Sequence, residues 1–599
     1  YQTPVGEQEV DLTLKRQFQI KDGVIVTIFD TDEQVGDQML LDALGNHSST
    51  KMKSIVTTIQ RKQNEIIRDT KNELLFVQGA AGSGKTAAVL QRVAWLLYRY
   101  RGNLTSSQVV LFSPNQLFND YIDQVLPELG EHNMVQMTYF QFANRRVPKL
   151  HVQNLEQRFE SHQDKTAKNA QQLLTSLQYF KATERYANHL GHANMRFRNL
   201  MFNGKVFLSK EKIKEIYYSF NNNYNLGNRL DGTKEELIKY LNHRVSTEMR
   251  NKWVEDEIQS LSKEEIDNLF NNQPREFEDE DKEYKFLARQ IVMWAFMPIK
   301  KAIDPKLVNI AEYGISAEQW KDYVDGVKEE LKKGNISANG ITIYLYLYDL
   351  ITGKHGQRDI RYVFVDEVQD YDAYQLAYLK YRFPRAKFTL LGDLNQAIFT
   401  HENSRSLLKQ LGTMFDPEKT KVVQLTKSYR STKQITDFTK HILIDGEAIE
   451  AFEREGNKPQ VYRAKDEQEG VAAVIDILNK YQTDHDAVAI IGKDLKDSEE
   501  LYQKLNANNI KATLIRTENQ RLVKGPIVVP SYLAKGLEFD AVIVWNANDQ
   551  QYRGNDERQL LYTICSRAMH ELSLVSIGKT TSLLDQVPTD EYGKVNVDK

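Results

Sequence analysis

Residues 79–86, Gly-Ala-Ala-Gly-Ser-Gly-Lys-Thr, have the residue types and the spacing of a phosphate-binding loop. The glycines at positions 79, 82 and 84 let the backbone curl, so that several N–H groups around Ser83 face one phosphate. Lys85 would reach the β- and γ-phosphates of a nucleotide, and the Thr86 hydroxyl would bind Mg²⁺. The octet, with Gly79, Gly82, Ser83, Gly84, Lys85 and Thr86 as contacts, therefore predicts a site for ATP or GTP.

The residues on either side of the octet predict the elements that hold it in place. Residues 74–77 are a short apolar run, which indicates a buried strand, and Thr86–Tyr100 has the apolar spacing of a helix. The positive end of a helix dipole would add to the attraction for phosphate. A chance glycine turn is the poorer interpretation, because it would not need a strand before it and a helix after it.

Two carboxylates follow another apolar run, Tyr362–Val365. In a phosphate-loop fold, the acid that holds Mg²⁺ lies at the carboxyl end of a neighbouring strand. We predict that Asp366 binds Mg²⁺, directly or through water, and that Glu367 orients and deprotonates the attacking water. A strand followed by Asp-Glu is common, and it gains this meaning only together with Lys85.

Three more polar residues are candidates for the transfer of a phosphoryl group. Gln396 follows the apolar run Phe388–Leu391 and could contact the γ-phosphate or the catalytic water, although an ordinary strand-end turn is an equal alternative. Arg430 and Arg567 could stabilise the charge that develops in the transition state. From the residues alone, each arginine fits a surface ion pair better.

Length and composition limit the classes of protein. A chain of 599 residues is too long for one core and predicts three or four domains. Its single cysteine, Cys565, excludes an internal disulfide and a cysteine-based zinc cluster. There is no run of about 18 apolar residues and no signal-like start, so we expect a cytoplasmic protein without a membrane span. The net charge of −3 is unusual for a DNA-coating protein, but a local positive groove stays open.

The distance between the predicted catalytic residues indicates how the chain is organised. Lys85 and Asp366 are 281 residues apart, far more than a compact phosphate-loop domain needs. The residues between them have mostly helical periodicity, whereas short apolar runs alternate with helices from 421 onward, which predicts an α/β fold with parallel sheets. We therefore predict four parts. A β-containing lead-in with a hairpin covers 1–50, and a first α/β domain covers 51–145 plus 357–420. A helical insertion covers 146–356, and a second α/β domain covers 421–599. Within the insertion, helices are predicted over Ser209–Phe220, Lys234–Ile258 and Tyr284–Lys301.

In this order, the motifs resemble those of superfamily 1 helicases of the UvrD/Rep group. The resemblance rests on Gln63, sixteen residues before Gly79, and on the blocks 79–86, 137–140, 365–370, 392–398, 428–431, 534–540 and 557–568. It implies two RecA-like P-loop NTPase domains, the first with a large helical insertion, that bind and hydrolyse ATP with Mg²⁺.

The same resemblance implies roles for individual residues. Gln63 would recognise the adenine edge and Tyr429 would stack on the ring. Glu538, beside Gly536, would hold the ribose. Arg430 would contact the γ-phosphate and Arg567 would be the arginine finger, with Tyr562 five residues before it.

Three departures from the UvrD/Rep pattern are visible. The base-stacking aromatic-Arg-Gly segment is replaced by Phe399-Thr400-His401, Tyr532 stands where a histidine is usual, and only 106 residues separate Arg430 from Gly536, too few for the extra domain of Rep-like helicases. With these departures, the segments 58–68, 532–540 and 561–572 resemble the HelD family. HelD proteins are ATPases that bind bacterial RNA polymerase and help to release it from nucleic acid. Residues 1–50 show no long heptad run, so we expect the coiled-coil arm of that family to be absent from this chain.

Three functions are weighed against each other. The first is a HelD-type ATPase that acts on RNA polymerase, and the second is a 3′→5′ DNA helicase or translocase that acts in DNA repair. The third, a scaffold with a decayed nucleotide site, is disfavoured because the whole candidate site is intact. The acidic stretch Glu276–Glu283 would repel phosphates, so the insertion is predicted to bind a protein partner, and Arg196-Phe197-Arg198 is predicted to be a helix packing edge. We expect a monomer, and DNA or RNA stays open as a partner.

Overall fold

The structure is a computed structural model. It describes residues 2–3, 6–7, 16–21, 24–30, 61–114, 134–147, 150–163, 168–192, 195, 197–202, 204–221, 223–261, 316–352, 356–393, 404–444, 446, 449–452, 454–517 and 525–597. Among the helices of these ranges, none is long and apolar enough to cross a membrane. The α/β fold class is confirmed, because both large sheets are parallel and have helices between their strands.

The chain divides into two compact units. Unit 1 comprises 1–177, 318–342 and 356–599, and unit 2 comprises 178–317 and 343–355. Unit 2 is shorter than the predicted insertion, 146–356, because residues 146–177 and 318–342 belong to unit 1. Strand β8 (His151–Val152) pairs in parallel with β11 (Asn335–Ile336) within these ranges.

The first sheet of unit 1 has six parallel strands in the order β14-β5-β13-β12-β6-β7. The strands are β5 (Leu74–Gly79), β6 (Val109–Ser113), β7 (Val135–Thr138), β12 (Tyr362–Val365), β13 (Lys387–Gly392) and β14 (Thr420–Leu425). Strands β5, β6, β12 and β13 are almost wholly buried, as their apolar runs predict for a sheet covered on both faces. The carboxyl ends of β5, β13 and β12 therefore lie side by side at one edge.

The strands of this first sheet alternate with helices of unit 1. These helices are α1 (Lys85–Arg99), α2 (Tyr139–Arg146), α3 (Leu155–Gln163), α4 (Lys168–Leu174), α11 (Ala373–Arg382) and α12 (Ser404–Met414), and residues 61–67 are also helical. The apolar face of α1 lies in one core with β5, β6 and β12. That core fixes where α1 begins, directly after the glycine loop.

The second sheet of unit 1 has seven parallel strands in the order β19-β20-β18-β21-β22-β17-β23. The strands are β17 (Gln460–Ala464), β18 (Val488–Gly492), β19 (Thr513–Leu514), β20 (Ile527–Pro530), β21 (Phe539–Val544), β22 (Ala568–Ile577) and β23 (Gly593–Asn596). Helices α13 (Lys433–Lys440), α14 (Glu467–Tyr481), α15 (Leu495–Ala507), α16 (Ser531–Ala534) and α17 (Asn555–Cys565) connect or flank them.

The predicted boundary between the α/β domains at 420/421 is wrong. Strand β14 (Thr420–Leu425) pairs with β5 from Thr420↔Leu74 to Leu425↔Gly79 and so belongs to the first sheet. The pairing protects the edge of β5, and its last step reaches the first glycine of the loop. The chain crosses between the sheets after Leu425, through the short parallel pair β15 (Lys427–Ser428) and β16 (Glu450–Ala451).

Unit 2 is mainly helical in its described residues. Its elements are α5 (Leu177–His192), the hairpin β9 (Leu200–Phe202) and β10 (Lys205–Leu208), α6 (Lys210–Ser219), α7 (Leu226–Glu248) and α8 (Lys252–Ser260). Helix α9 (Ala317–Lys333) lies in unit 1 except for its first residue, and α10 (Ala338–Thr352) runs from unit 1 into the second segment of unit 2. Phe180 stacks on Tyr346 at 4.1 Å between ring centroids and joins α5 to α10.

The helix predictions for this region are partly correct. The prediction over Ser209–Phe220 is confirmed by α6, whose amino end is capped by Ser209. The single helix predicted over Lys234–Ile258 is wrong, because the Glu248 carboxylate accepts hydrogen bonds from Asn251 Nδ2 and Trp253 Nε1 and a new helix begins there. The prediction that Arg196-Phe197-Arg198 is the packing edge of a helix is wrong for Phe197, which lies in a non-helical stretch before β9 and packs on Tyr217 of α6. The predicted helix Tyr284–Lys301 and the acidic stretch lie outside the described residues, as does Arg196.

The predicted hairpin in the lead-in is confirmed. Strands β3 (Arg16–Lys21) and β4 (Val24–Asp30) pair antiparallel around the turn. Before them, β1 (Gln2–Thr3) pairs with β2 (Gly6–Glu7).

Candidate active site

The glycine loop between β5 and α1 is shaped by positions where only glycine fits. Gly82 and Gly84 have φ of +70° and +76°, a region that side chains with a Cβ rarely adopt. A Cβ on Gly84 would lie 1.8 Å from the Tyr429 hydroxyl, and one on Gly82 would lie 2.7 Å from Arg430 Cβ. The Tyr429 N–H also donates to Gly82 O at 3.1 Å. Gly82 and Gly84 therefore have two functions in the loop. They adopt its left-handed backbone conformations, and they leave room for the contact with residues 429–430.

Lys85 and Thr86 lie at the amino end of α1, as predicted. Lys85 Nζ donates to the loop carbonyls of Gly79 at 2.7 Å and Ala80 at 2.8 Å. Burial lowers the pKa of Lys85, although carboxylates at Asp393, Glu367 and Asp366 act in the opposite direction. The Thr86 hydroxyl donates to Asp366 Oδ2 at 3.2 Å. The structure thus brings the two predicted Mg²⁺ ligands into contact, although 280 positions separate them.

Asp366 and Glu367 follow β12 and have opposite electrostatic environments. Burial and the neighbouring Glu367 raise the pKa of Asp366. Burial acts to raise the pKa of Glu367 as well, but Lys535, Lys85 and Arg567 outweigh it and lower that pKa. Glu367 is consequently the member of the pair that keeps its charge more easily.

The backbone of Glu367 is also unusual. It has φ +50° and ψ +47°, the left-handed region, and a non-glycine residue there costs on the order of 1 kcal/mol. The conformation is followed by a 3₁₀ turn, Val368–Asp370, closed by Asp370 N–H donating to Glu367 O at 2.9 Å. We call Val365–Asp370 the motif II turn. Backbone strain at a charged, half-buried residue in a cleft is typical of functional sites.

Gln63 and Tyr429 form the other end of the site. Both are buried, and Gln63 Nε2 donates to the Tyr429 hydroxyl at 3.5 Å. Ser83 is 2% exposed, and its hydroxyl has no hydrogen-bond partner among the described residues. The site therefore also has an aromatic ring and an amide next to Gly84, and a buried hydroxyl without a partner among the described residues.

The second sheet contributes the predicted charged residues across the cleft. Arg567 is 5% exposed, and its Nε donates to Thr563 O at 2.9 Å. Its largest attractive charge is Glu367, which places the predicted arginine finger near the predicted base. Arg430 Nη1 pairs with Glu538 Oε1 at 2.7 Å, so two residues predicted to contact different parts of the nucleotide lie against each other. Gly536, with φ +80°, forms the turn before Glu538.

Two more contacts join the α/β domains at the site. Lys535 Nζ lies 2.7 Å from Asp370 Oδ1, and both side chains are nearly buried. The Tyr562 hydroxyl donates to Asp393 Oδ2 at 3.4 Å. The cleft between the domains is thus held together by contacts that begin at the motif II turn and at the end of β13.

Some roles were missed from the sequence. Asp370, Asp393 and Lys535 were within the quoted motifs but were given no function. Asp393 follows β13 as Asp366 follows β12, and this position was the available signal. The role of Lys535 depends on a contact across the cleft, 165 positions from Asp370, which no local pattern shows. Gln396 lies outside the described residues, so its predicted role stays a prediction.

Comparison with known families agrees with this geometry. The UvrD/REP helicase N-terminal domain matches residues 59–409, which is more than half of the chain. The chain belongs to the UvrD/REP helicase family. The UvrD-like helicase C-terminal domain matches residues 527–575, in the second sheet. The two sheets are therefore the two RecA-like domains of a UvrD-like core, and such helicase domains are those of ATP-dependent hydrolases that use Mg²⁺.

A solved structure also resembles part of this UvrD-like chain. It is the C-terminal domain of a possible DNA helicase from Lactobacillus plantarum WCFS1, with 53% identity over 28% of this chain and 98% of that domain, and a TM-score of 0.26. Comparison with curated protein sequences gives no significant match.

Proposed function

We propose that the chain hydrolyses ATP and uses the reaction as a helicase-like motor. One observation carries the proposal: the ends of β5 and β12 bring Lys85, Thr86, Asp366 and Glu367 together, and Arg567 lies across the cleft near Glu367. Each group needed for phosphoryl transfer is present, namely a cation for the phosphates, ligands for a metal, a base and a second cation.

The residues present fit ATP and Mg²⁺. Glycine at positions 79, 82 and 84 gives the loop a backbone that no Cβ would fit, and the buried Ser83 hydroxyl has no partner among the described residues. A hydroxyl and a carboxylate oxygen, from Thr86 and Asp366, are hard ligands of the kind that Mg²⁺ prefers. When bound, the metal would neutralise charge on the β- and γ-phosphates.

The protein groups then divide the work. Lys85 would exchange its two loop carbonyls for phosphate oxygens, and Glu367, kept ionised by three nearby cations, would accept the proton of the attacking water. Arg567 would stabilise the charge that develops during transfer, at a place where burial strengthens electrostatic interactions. Arg430 and Glu538 would have to separate to reach the γ-phosphate and the ribose.

For the target of the motor, we propose bacterial RNA polymerase, which the chain would bind and help to release from nucleic acid. The proposal rests on the HelD-like segments, on Tyr532, and on the short interval from Arg430 to Gly536. That interval is taken up by the strands and helices of the second sheet. A 3′→5′ DNA helicase or translocase of the UvrD/Rep type, acting in DNA repair, is supported equally by the family match.

The test measures ATP hydrolysis, polymerase binding and duplex unwinding by the full chain. Release of phosphate from ATP is measured with and without single-stranded DNA, and binding to purified bacterial RNA polymerase is measured in parallel. Polymerase binding with weak unwinding of a 3′-tailed duplex would support the first function. Robust unwinding without polymerase binding would select the DNA helicase.

Two variants test the ATPase itself. Lys85→Ala should abolish hydrolysis, and turnover near the parent rate would reject the site. Glu367→Gln should still bind nucleotide but lose hydrolysis, because an amide fits the position and cannot accept the proton. Loss of binding in Glu367→Gln would instead identify Glu367 as a metal ligand.

A further inference from the structure

Helix α3 (Leu155–Gln163) contacts the first RecA-like domain through Arg158. Arg158 Nη2 donates to Asp370 O at 3.0 Å, at the end of the motif II turn. Its guanidinium carbon also lies 5.3 Å from the centre of the Phe140 ring, in the segment 137–140. A guanidinium bonded to this carbonyl restrains the turn that begins at the strained Glu367 backbone.

The next residue of α3 contacts the second RecA-like domain. Phe159 is 4% exposed and belongs to the apolar core that the second sheet forms with its helices. Its ring lies 5.3 Å from that of Tyr532, the residue that replaces the usual histidine. Tyr532 is itself 3% exposed, so the replacement serves packing on α3. Arg158 and Phe159 thus connect the two domains through neighbouring positions.

The other contacts of Asp370 connect the motif II turn to the catalytic base, Glu367. The carboxylate of Asp370 pairs with Lys535 at 2.7 Å, and the Asp370 N–H donates to Glu367 O at 2.9 Å. Between α3 and the carboxylates lies a cavity of about 40 Å³, lined by residues that include Arg158, Glu367 and Thr138. A shift of Asp370 would therefore change the positions of both Glu367 and Lys535.

Helix α3 is anchored within unit 1, beside the pair β8–β11. The pair β8–β11 precedes it, and Gln153 Nε2 donates to Gln157 O in its first turn at 2.9 Å. Gln153 Oε1 accepts from Ala338 N at 3.2 Å, on the returning segment. The amino end of α3 is capped by Asn154, whose Oδ1 accepts from Gln157 N at 2.8 Å. The helix is thus held to the two chain segments that pair through β8 and β11.

We propose that α3 couples the two RecA-like domains to the catalytic base, with Arg158 as a positioning residue for Glu367 and Phe159 as its contact in the second domain. The inference deepens the proposed ATPase and rests on it. Arg158 acts through Asp370, and it restrains the motif II turn in the arrangement in which Asp370 contacts both Lys535 and Glu367.

The test is steady-state ATP hydrolysis by Arg158→Ala, Arg158→Lys and Phe159→Ala in the full chain. Arg158→Ala should lower kcat about tenfold, the size expected for one charge-assisted hydrogen bond, with KM changed less than twofold. Arg158→Lys should recover part of the rate, since it keeps a donor and a charge. Amide hydrogen exchange at Asp370 and Tyr371 should become about tenfold faster in Arg158→Ala.

Glu160→Gln is the matched control, because Glu160 is exposed on the same helix. It should leave kcat and amide exchange at the parent values. Equal kcat in Arg158→Ala and the parent, or a rise in KM with kcat kept, would overturn the positioning role while leaving the ATPase intact. A parent chain without turnover would overturn the proposed function, and unchanged exchange at Asp370 would separately overturn the restraint on the turn. If Arg158→Ala does not fold, the same criteria apply to Arg158→Lys.

Discussion

Replacement of Lys535 by methionine should weaken closure of the two RecA-like domains and slow hydrolysis. Lys535 Nζ lies 2.7 Å from Asp370 Oδ1, and the side chains are only 3% and 12% exposed. Lys535 comes from the second domain and Asp370 from the first. Methionine keeps the length and most of the packing of the side chain, so the loss is mainly that of a charge beside a buried carboxylate.

The size of the effect follows from this burial. Removal of one partner of a buried ion pair costs about 3–5 kcal/mol, because the remaining charge is left unpaired. We expect the low end, about 3 kcal/mol, since Asp370 keeps some contact with solvent. Because the pair spans the cleft, the cost applies to domain closure, and it corresponds to a decrease of roughly a hundredfold in kcat/KM for ATP.

The assay is steady-state phosphate release, measured for Lys535→Met, Asp370→Asn and the double variant. The double variant should be less than additive, because removing both charges leaves neither unpaired. Lys579→Met is the matched control. Lys579 pairs with Asp549 at 3.3 Å but is 74% exposed, and such surface pairs contribute about 0–1 kcal/mol.

A Lys535→Met variant that keeps kcat/KM within twofold of the parent, as Lys579→Met should, would show that the Lys535–Asp370 pair does not stabilise domain closure. Additive effects of the two single variants would also contradict the prediction, since they would show that Lys535 and Asp370 act independently. A difference in melting temperature alone does not decide the question, because a chain with several domains need not unfold in one step.

Three other outcomes are expected. Tyr429→Ala should raise KM for ATP more than it lowers kcat, because stacking on adenine is nearly equal in the ground and transition states; a collapsed kcat at unchanged KM would contradict this. Arg567→Ala should do the reverse and lower kcat by about 10³-fold with binding largely kept, as separate nucleotide-binding measurements can check. Burial and the nearby Arg454 lower the pKa of His570 from its ordinary 6.5. The unfolded chain then takes up this proton first as pH falls, so stability should decrease below about pH 6.5, and His570→Asn should flatten the difference in melting temperature between pH 7.5 and 5.5.

The phosphate loop and the carboxylates were predictable because short local sequence patterns determine both. A left-handed turn next to a phosphate needs Gly82 and Gly84, and an apolar strand that ends in Asp366-Glu367 places its acids at the sheet edge. The strands of the second sheet were also visible, since parallel strands buried on both faces are continuous apolar runs. By contrast, β14 was assigned to the wrong domain, because its apolar run does not state which sheet it joins.

The contacts that join the domains could not be predicted, and α3 shows why. Nothing in the local pattern of residues 155–163 distinguishes a helix inside an insertion from one packed between two RecA-like domains. Arg158 resembles any helix-surface arginine until Asp370 O is placed beside it, 212 positions away. The replacement of histidine by Tyr532 was visible, but its reason, the ring of Phe159, was not.

The tyrosine at position 532 also bears on the choice between a DNA helicase and an ATPase that acts on RNA polymerase. A histidine at that position could offer polar contacts to a bound strand, whereas a tyrosine that is 3% exposed and packed on Phe159 offers its ring to the protein interior. Tyr532 therefore packs on a helix that is anchored beside β8 and β11. The proposed coupling through α3 would transmit movement of that helix to Glu367 by way of Arg158 and Asp370.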